Sequence, residues 1–270
     1  MITDDAKTLQ RICSLMQRVL IVNPQAAATK LLSELLRDVC PCQIWTAADQ
    51  ARGLVTANGV DPHIIFVEQA PTLDGIAFTR ELRRSDFAAR KTPVIMMIAE
   101  ATASAIIGAR DAGVHEFLRK PFTIKDLMRR LEAVTLRRRD WIEGINYIGP
   151  DRRRFNSGDY TGPLKRRVDH AETPDDARLV QALRILKAAL AAVERDPRQA
   201  LRAMLAQVNE LGRVAKSKSD AKLRTATSAL AAYLAGKDPP RLRAAELEPL
   251  MAELLTYLPP EEAAARFAAA

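Results

Sequence analysis

The side chains best placed to do chemistry in this sequence stand at the ends of short apolar runs. Asn23 follows Val19-Leu20-Ile21-Val22. Glu68 follows His63-Ile64-Ile65-Phe66-Val67. Ile98 closes Pro93-Val94-Ile95-Met96-Met97, and Lys120 follows Glu116-Phe117-Leu118-Arg119. If the runs are parallel strands, these four residues meet at the carboxyl edge of one sheet. A carboxylate and an ammonium would then face each other where ligands bind in open α/β sheets. A second constellation is basic. Tyr147-Ile148-Gly149-Pro150-Asp151-Arg152-Arg153-Arg154 and Tyr160-Thr161-Gly162-Pro163-Leu164-Lys165-Arg166-Arg167 share one phrase, Tyr-x-Gly-Pro-x followed by three cations. The Gly-Pro step sets a turn before each triplet. Arginine forks beside an aromatic ring suit phosphate groups and bases. Arg152, Arg153, Arg154, Lys165, Arg166 and Arg167 are therefore candidate anion-binding residues. A flexible linker and an ordered arm laid over the fold are the other readings of this segment.

The elements that must position these groups are legible as a pattern. Strands are expected at 18–22, 42–46, 63–67, 93–98 and 115–118. Helices are expected at 25–38, 48–57, 75–84, 102–112 and 123–140, the last running on through Trp141 and Ile142 to a stop at Gly144. A short amphipathic helix over 6–17 precedes them. Runs that are apolar throughout are what a strand buried on both faces requires. Regular alternation with helices gives a parallel, doubly wound sheet, for which 2-1-3-4-5 is the expected strand order. From residue 173 the period becomes helical. Thr173-Pro174-Asp175-Asp176 is a cap, a first-turn proline and acids at the positive helix end. Helices starting at Pro174, Pro197, Asp220 and after Pro240 make a small bundle, with a tail helix from Pro259 to Ala270. The expected domains are thus 1–17, an N-terminal helix; 18–143, the α/β domain; 144–172, a basic linker; and 173–270, an all-α bundle.

Within 18–136 the residues resemble the receiver domain of two-component response regulators. Val19 to Val22, Pro62 to Glu68 with Asp74-Gly75, Pro93 to Ala99, Asp111-Ala112-Gly113 and Lys120-Pro121-Phe122 carry the likeness. It implies a flavodoxin-like five-stranded fold and a pocket that takes a phosphoryl group on an aspartate with Mg²⁺. The match to that chemistry is poor. Asn23-Pro24 stands where the family has two acids, and Ile98 where it has a hydroxyl. Phe117 replaces a tyrosine frequent in the family. The aspartate position falls on Glu68 counting from the strand, or on Val67 counting back from Pro71 or Asp74. Lys120 and Pro121 fit, and the likeness implies a cis bond before Pro121. A hard divalent cation needs several oxygen ligands, so weak Mg²⁺ binding and a degenerate receiver are expected, with Glu68 and Lys120 paired.

Composition sets the remaining bounds. The chain has 270 residues with a formal charge of +8, and the segment 137–170 holds nine basic and five acidic residues. That concentration suits an anionic partner. The three cysteines, Cys13, Cys40 and Cys42, are expected to be buried or idle thiols. Neither a signal peptide pattern nor a membrane span is evident. His63, His115 and His170 have no metal or dyad spacing. No histidine follows His170, which excludes a phosphotransfer bundle. The reading is of a cytoplasmic, non-enzymatic signalling protein without cofactor or metal. It would act on a protein partner such as a histidine kinase, another regulator or a second copy of itself. The alternatives are a sensor of an anionic nucleotide, such as a cyclic dinucleotide, or of nucleic acid through the arginine segment, and an atypical regulator that is still phosphorylated.

Overall fold

The computed structural model describes residues 2–100, 102–137, 139–152 and 173–259. The chain divides into two compact units. The first is Met1–Ile142 with Tyr147–Arg154, and the second is Glu143–Asn146 with the chain from Phe155 onward.

In the first unit, helix α1 (Ile2–Leu15) precedes five strands: β1 (Arg18–Val22), β2 (Gln43–Ala47), β3 (Ile64–Gln69), β4 (Val94–Ile98) and β5 (Glu116–Arg119). Helices α2 (Ala26–Val39), α3 (Gln50–Val60), α4 (Gly75–Arg84) and α5 (Ala103–Asp111) connect them, and α6 (Ile124–Thr135) follows β5. All pairings are parallel in the order β2-β1-β3-β4-β5. Alternation along the strands divides the core. Leu20, Val22, Ile65, Val67, Val94, Met96 and Ile98 face one layer with α3 and α4. Val19, Ile21, Ile64, Phe66, Ile95, Met97 and Leu118 face the other with α2 and α6. That second layer also takes Ile12 and Met16 of α1.

Local chemistry fixes the junctions. Asp74 caps α4 by accepting from the backbone N–H of Ile76 and Ala77, both at 3.0 Å. Gly75 is required there, because a Cβ would lie 2.5 Å from the carbonyl oxygen of Glu68. Thr123 and Asp126 form a reciprocal capping box on α6.

Two expectations are overturned in this unit. Cys13 and Cys40 are joined in a disulfide that ties α1 to the end of α2, and Cys42 alone of the three is a free thiol. The pairing is non-local, across α1 and α2, so sequence spacing does not announce it. The last helix of the unit also ends at Thr135 instead of running past Trp141. Residues Trp141–Glu143 are strand β6, paired with β7 (Ile148–Pro150) in a two-stranded ribbon. Trp141 leaves the helical path to place its indole 5.2 Å from the guanidinium carbon of Arg83 and beside His115.

Arg83 is the polar centre of the sheet's amino-terminal edge. It is fully buried, and burial pushes its pKa down to about 9, so it stays charged at neutral pH. Its donors go to the carbonyl oxygens of Gly113 (2.9 and 3.2 Å), Arg90 (2.7 Å) and Thr92 (2.9 Å). They thereby satisfy acceptors in the turns that lead into β4 and β5. Gly113 sits at φ +90°, and a Cβ there would meet the Ile148 carbonyl oxygen at 2.4 Å. His115 Nδ1 lies 3.3 Å from Arg83 Nη2 and accepts from Val94 N–H at 3.3 Å.

The second unit is a bundle of α7 (Pro174–Ala192), α8 (Pro197–Ser217), α9 (Ala221–Leu234) and α10 (Ala244–Leu255). Thr173 and Asp176 form its first capping box, while Asp196 and Asp220 cap α8 and α9. Leu183, Leu186, Met204, Leu211, Leu230, Leu247 and Met251 fill its core. Residues 143–146 belong to this unit. Gln199 donates to Glu143 Oε1 and to the Gly144 carbonyl, both at 2.9 Å, and Gln207 donates to the Glu143 carbonyl at 3.2 Å. Of the tail helix expected from Pro259 to Ala270, residues 260–270 lie outside the described residues.

Burial first, then Arg83 and Arg139, hold the His115 pKa well below the usual 6.5. A depressed pKa means that the folded state favours the neutral ring. The stabilisation is complete above the unfolded-state value and declines as pH falls below it, by up to about 1.4 kcal/mol per pH unit. Urea midpoints measured between pH 7.5 and 5 should therefore fall more steeply for the wild type than for His115→Gln.

Candidate functional site

The carboxyl edge of the sheet brings three of the expected residues together. β3 is shielded on both sides, and Glu68 occupies its penultimate position, in register with Met97 of β4. The side chain falls on the same face as Phe66, and only 2% of the residue is exposed. Val67 points the other way, into the core with Met96 and Ile98. The geometry thus places Glu68, and not Val67, at the edge cluster. Lys120 follows β5 and donates from Nζ to Glu68 Oε1 at 2.5 Å. Asn23 follows β1 and donates from Nδ2 to Glu68 Oε2 at 3.3 Å. Its Oδ1 accepts from Gln25 N–H at 2.8 Å, at the start of α2. The amide is thereby oriented with its donor toward the carboxylate.

Each carboxylate oxygen has a donor, and the cluster of one carboxylate, one ammonium and one amide is neutral. The remaining expected residues frame it without a polar contact to it. Ile98 ends β4 with its side chain in the core beside Val67. Phe117 packs against that same layer, Phe122 packs on the opposite one, and the Lys120–Pro121 peptide is cis. The donor set does not fit a hard divalent cation, which needs several oxygen ligands. Its one carboxylate is already matched by Lys120. Among the described residues no group of three or more His, Cys, Asp or Glu is arranged to hold a metal.

Of the basic segment, Arg152 is described, and it is engaged. Its guanidinium lies 3.8 Å from the Tyr147 ring centroid and pairs with Asp111 at the end of α5. The Tyr147 hydroxyl donates to the Pro150 carbonyl at 2.6 Å. Residues 147–152 of the first copy of the repeat thus belong to the first unit, and Arg152 is engaged in contacts within it. Arg153, Arg154, Lys165, Arg166 and Arg167 lie outside the described residues.

A parallel sheet in this order, with Lys120 opposite an acid at its carboxyl edge, defines a receiver-like module. The family described as response regulator receiver domain is matched over residues 19–132, and the chain belongs to that family. A probable chemotaxis protein CheY of Rhizobium etli is 30% identical over 118 residues, which cover 43% of this chain and 91% of that protein. The KDP operon transcriptional regulatory protein KdpE of Escherichia coli K12 is 36% identical over 124 residues, 46% of this chain and 52% of that protein. The chain spans about half the length of several of the curated regulators it matches. Among solved structures, chemotaxis protein CheY4 of Vibrio cholerae superposes with a TM-score of 0.41 at 25% identity, covering 44% of this chain and 98% of that one. No helix among the described residues is long and apolar enough to cross a membrane.

The sequence reading missed the Arg83–His115–Trp141 cluster. The signal was present in the spacing: Gly75, Phe78, Thr79, Leu82 and Arg83 are the buried face of α4, so Arg83 lies on the apolar stripe.

Replacing one partner of a buried pair leaves the other charge uncompensated, whereas replacing both by apolar groups is far less costly. Lys120→Met should cost about 2 kcal/mol at pH 7, discounted from the fully buried case because the Lys120 side chain is 28% exposed. Glu68→Met with Lys120→Met should recover most of that loss in urea unfolding. Additive losses would show that the two residues are not coupled.

Proposed function

We propose that this chain is a degenerate receiver joined to a helical interaction module. In this reading Glu68 occupies the position at which the family accepts a phosphoryl group, and Lys120 holds it in one arrangement. The observation that carries the reading is the 2.5 Å ion pair between Lys120 and a nearly inaccessible Glu68, with Asn23 on its second oxygen.

The chemistry follows from charge. Attack on a phosphoryl donor requires a free carboxylate oxygen and a cation to offset charge on the transferring group. Here the ammonium binds one oxygen directly, the amide takes the other, and no second acid from Asn23-Pro24 assembles a Mg²⁺ site. The receiver then signals by contact, not by turnover. Its partner is a histidine kinase, another regulator or a second copy of the chain, met in the cytoplasm, and the α7–α10 bundle is the output surface.

The test is intact-mass measurement of the full chain after incubation with Mg²⁺ and acetyl phosphate, beside an Asn23→Asp/Glu68→Asp variant. The wild type should gain no phosphoryl mass. A wild-type gain that maps to Glu68 would establish a working receiver with unusual acids.

A further inference from the structure

The amino-terminal edge of the receiver sheet, opposite the Glu68 cluster, holds a cleft of about 500 Å³. That volume lies within the range of small-molecule sites. Its floor is made by the starts of β3, β4 and β5, and its walls by the ends of α1 and α6 with Arg137, Arg139 and Trp141. Nothing in the phosphoryl-pocket reading uses it.

The lining is rich in donors. Lys91 is exposed and makes no ion pair among the described residues; its ammonium stands 5.9 Å from the Trp141 ring centroid. The two carboxylates at the cleft are already matched. Asp61 meets Arg18 at 3.7 Å, and Glu116 is shared by Arg130, at 3.0 Å, and Arg139. Two guanidiniums on one carboxylate leave one positive charge in excess there, and Lys91 lines the same cleft.

The imidazoles add to this. His63 Nδ1 accepts from Gln17 N–H at 3.2 Å, and His115 Nδ1 from Val94 N–H at 3.3 Å. A neutral ring whose Nδ1 accepts must carry its proton on Nε2. Both cleft histidines are therefore fixed as Nε2 donors, and neither Nε2 has a partner among the described residues. The hydroxyls of Thr92 and Thr135 donate to the carbonyls of Pro62 and Leu131, at 2.9 and 2.7 Å. The two hydroxyls are therefore spent, and the surplus charge with the two imidazole N–H donors calls for an oxyanion. The indole of Trp141 and the apolar rings of Pro62 and Pro93 call for something flat and apolar attached to it.

We propose that this cleft binds a small anion carrying a planar ring, of the nucleoside monophosphate class. The phosphate lies with Lys91, Arg139 and the two imidazole N–H groups, and the base stacks along Trp141. Inorganic phosphate lacks the ring, and a nucleoside lacks the charge, so neither should fill the site. Arg83 beneath Trp141 fixes the indole and takes no part in contact.

Calorimetric titration of the full chain with GMP, AMP, guanosine and inorganic phosphate tests this, together with NMR of the Trp141 indole N–H. A saturable heat is expected with at least one of the monophosphates, with a shifted Trp141 signal. Guanosine and phosphate should bind about tenfold more weakly or not at all. Lys91→Ala, at an exposed position, should weaken binding about tenfold without changing the unfolding midpoint. Three results would each overturn the proposal. They are the absence of saturable heat with either monophosphate, affinity for inorganic phosphate equal to that for the nucleotide, and binding that Lys91→Ala and Arg139→Ala leave unchanged.

Discussion

A carboxylate with almost no exposed surface has to find its donors inside the protein, and Glu68 finds two just past the ends of β1 and β5. Lys120 is separated from it by 52 residues and Asn23 by 45. The Asn23 contact requires β1 and β3 paired in register, and the Lys120 contact requires β3, β4 and β5. An isolated buried charge is costly, so this cluster and the sheet order are mutually dependent. The parallel sheet delivers three strand ends to one edge, and the ion pair makes burial of that edge tolerable. The same pair sets the electrostatics of the site. Its one negative charge is used internally, and the cluster presents no surplus to attract a cation.

The opposite edge obeys a similar constraint with the sign reversed. Arg83 is a buried cation whose partners are carbonyl oxygens and an imidazole. It draws the turns before β4 and β5 and the Trp141 segment onto one group. Burial first, and then its positive charge, hold His115 neutral, and the Trp141 indole lies against its guanidinium. One sheet therefore carries a neutral, closed cluster at its carboxyl edge and a positive, donor-rich cleft at its amino edge.

Much of this was legible in the chain. Apolar runs such as Val19–Val22, Ile64–Val67 and Val94–Ile98 between helical periods mark parallel strands, and the order β2-β1-β3-β4-β5 agrees with that reading. The residues that follow the runs identified Asn23, Glu68 and Lys120. Sequence left Glu68 and Val67 open, because the loop to Asp74 counts differently from each end. Side-chain alternation in β3 puts Val67 in the layer with Met96 and Ile98, and Glu68 on the other face, where Lys120 and Asn23 meet it. What was hidden is non-local. The Cys13–Cys40 bond depends on α1 folding against the layer that holds α2. Past the end of α6, Trp141 joins the β6–β7 ribbon and lies against Arg83. Neither partner is near in sequence, and Arg83 stands out only through its place on the buried stripe of α4. Arg152 looked like one cation of a ligand-binding triplet, but Asp111 of α5 and the Tyr147 ring hold it.

The central claim is that Lys120 and Asn23 occupy both oxygens of Glu68 and leave no site for a cation and a phosphoryl group. The most direct measurement is an amide NMR titration of the full chain with Mg²⁺ and then beryllium fluoride, a phosphoryl mimic, following the signals of residues 23–25, 68–75, 98–100 and 119–122. The account predicts that these signals stay fixed through both additions. A saturable shift with Mg²⁺ alone, or a new set of signals when the fluoride is added, would contradict it.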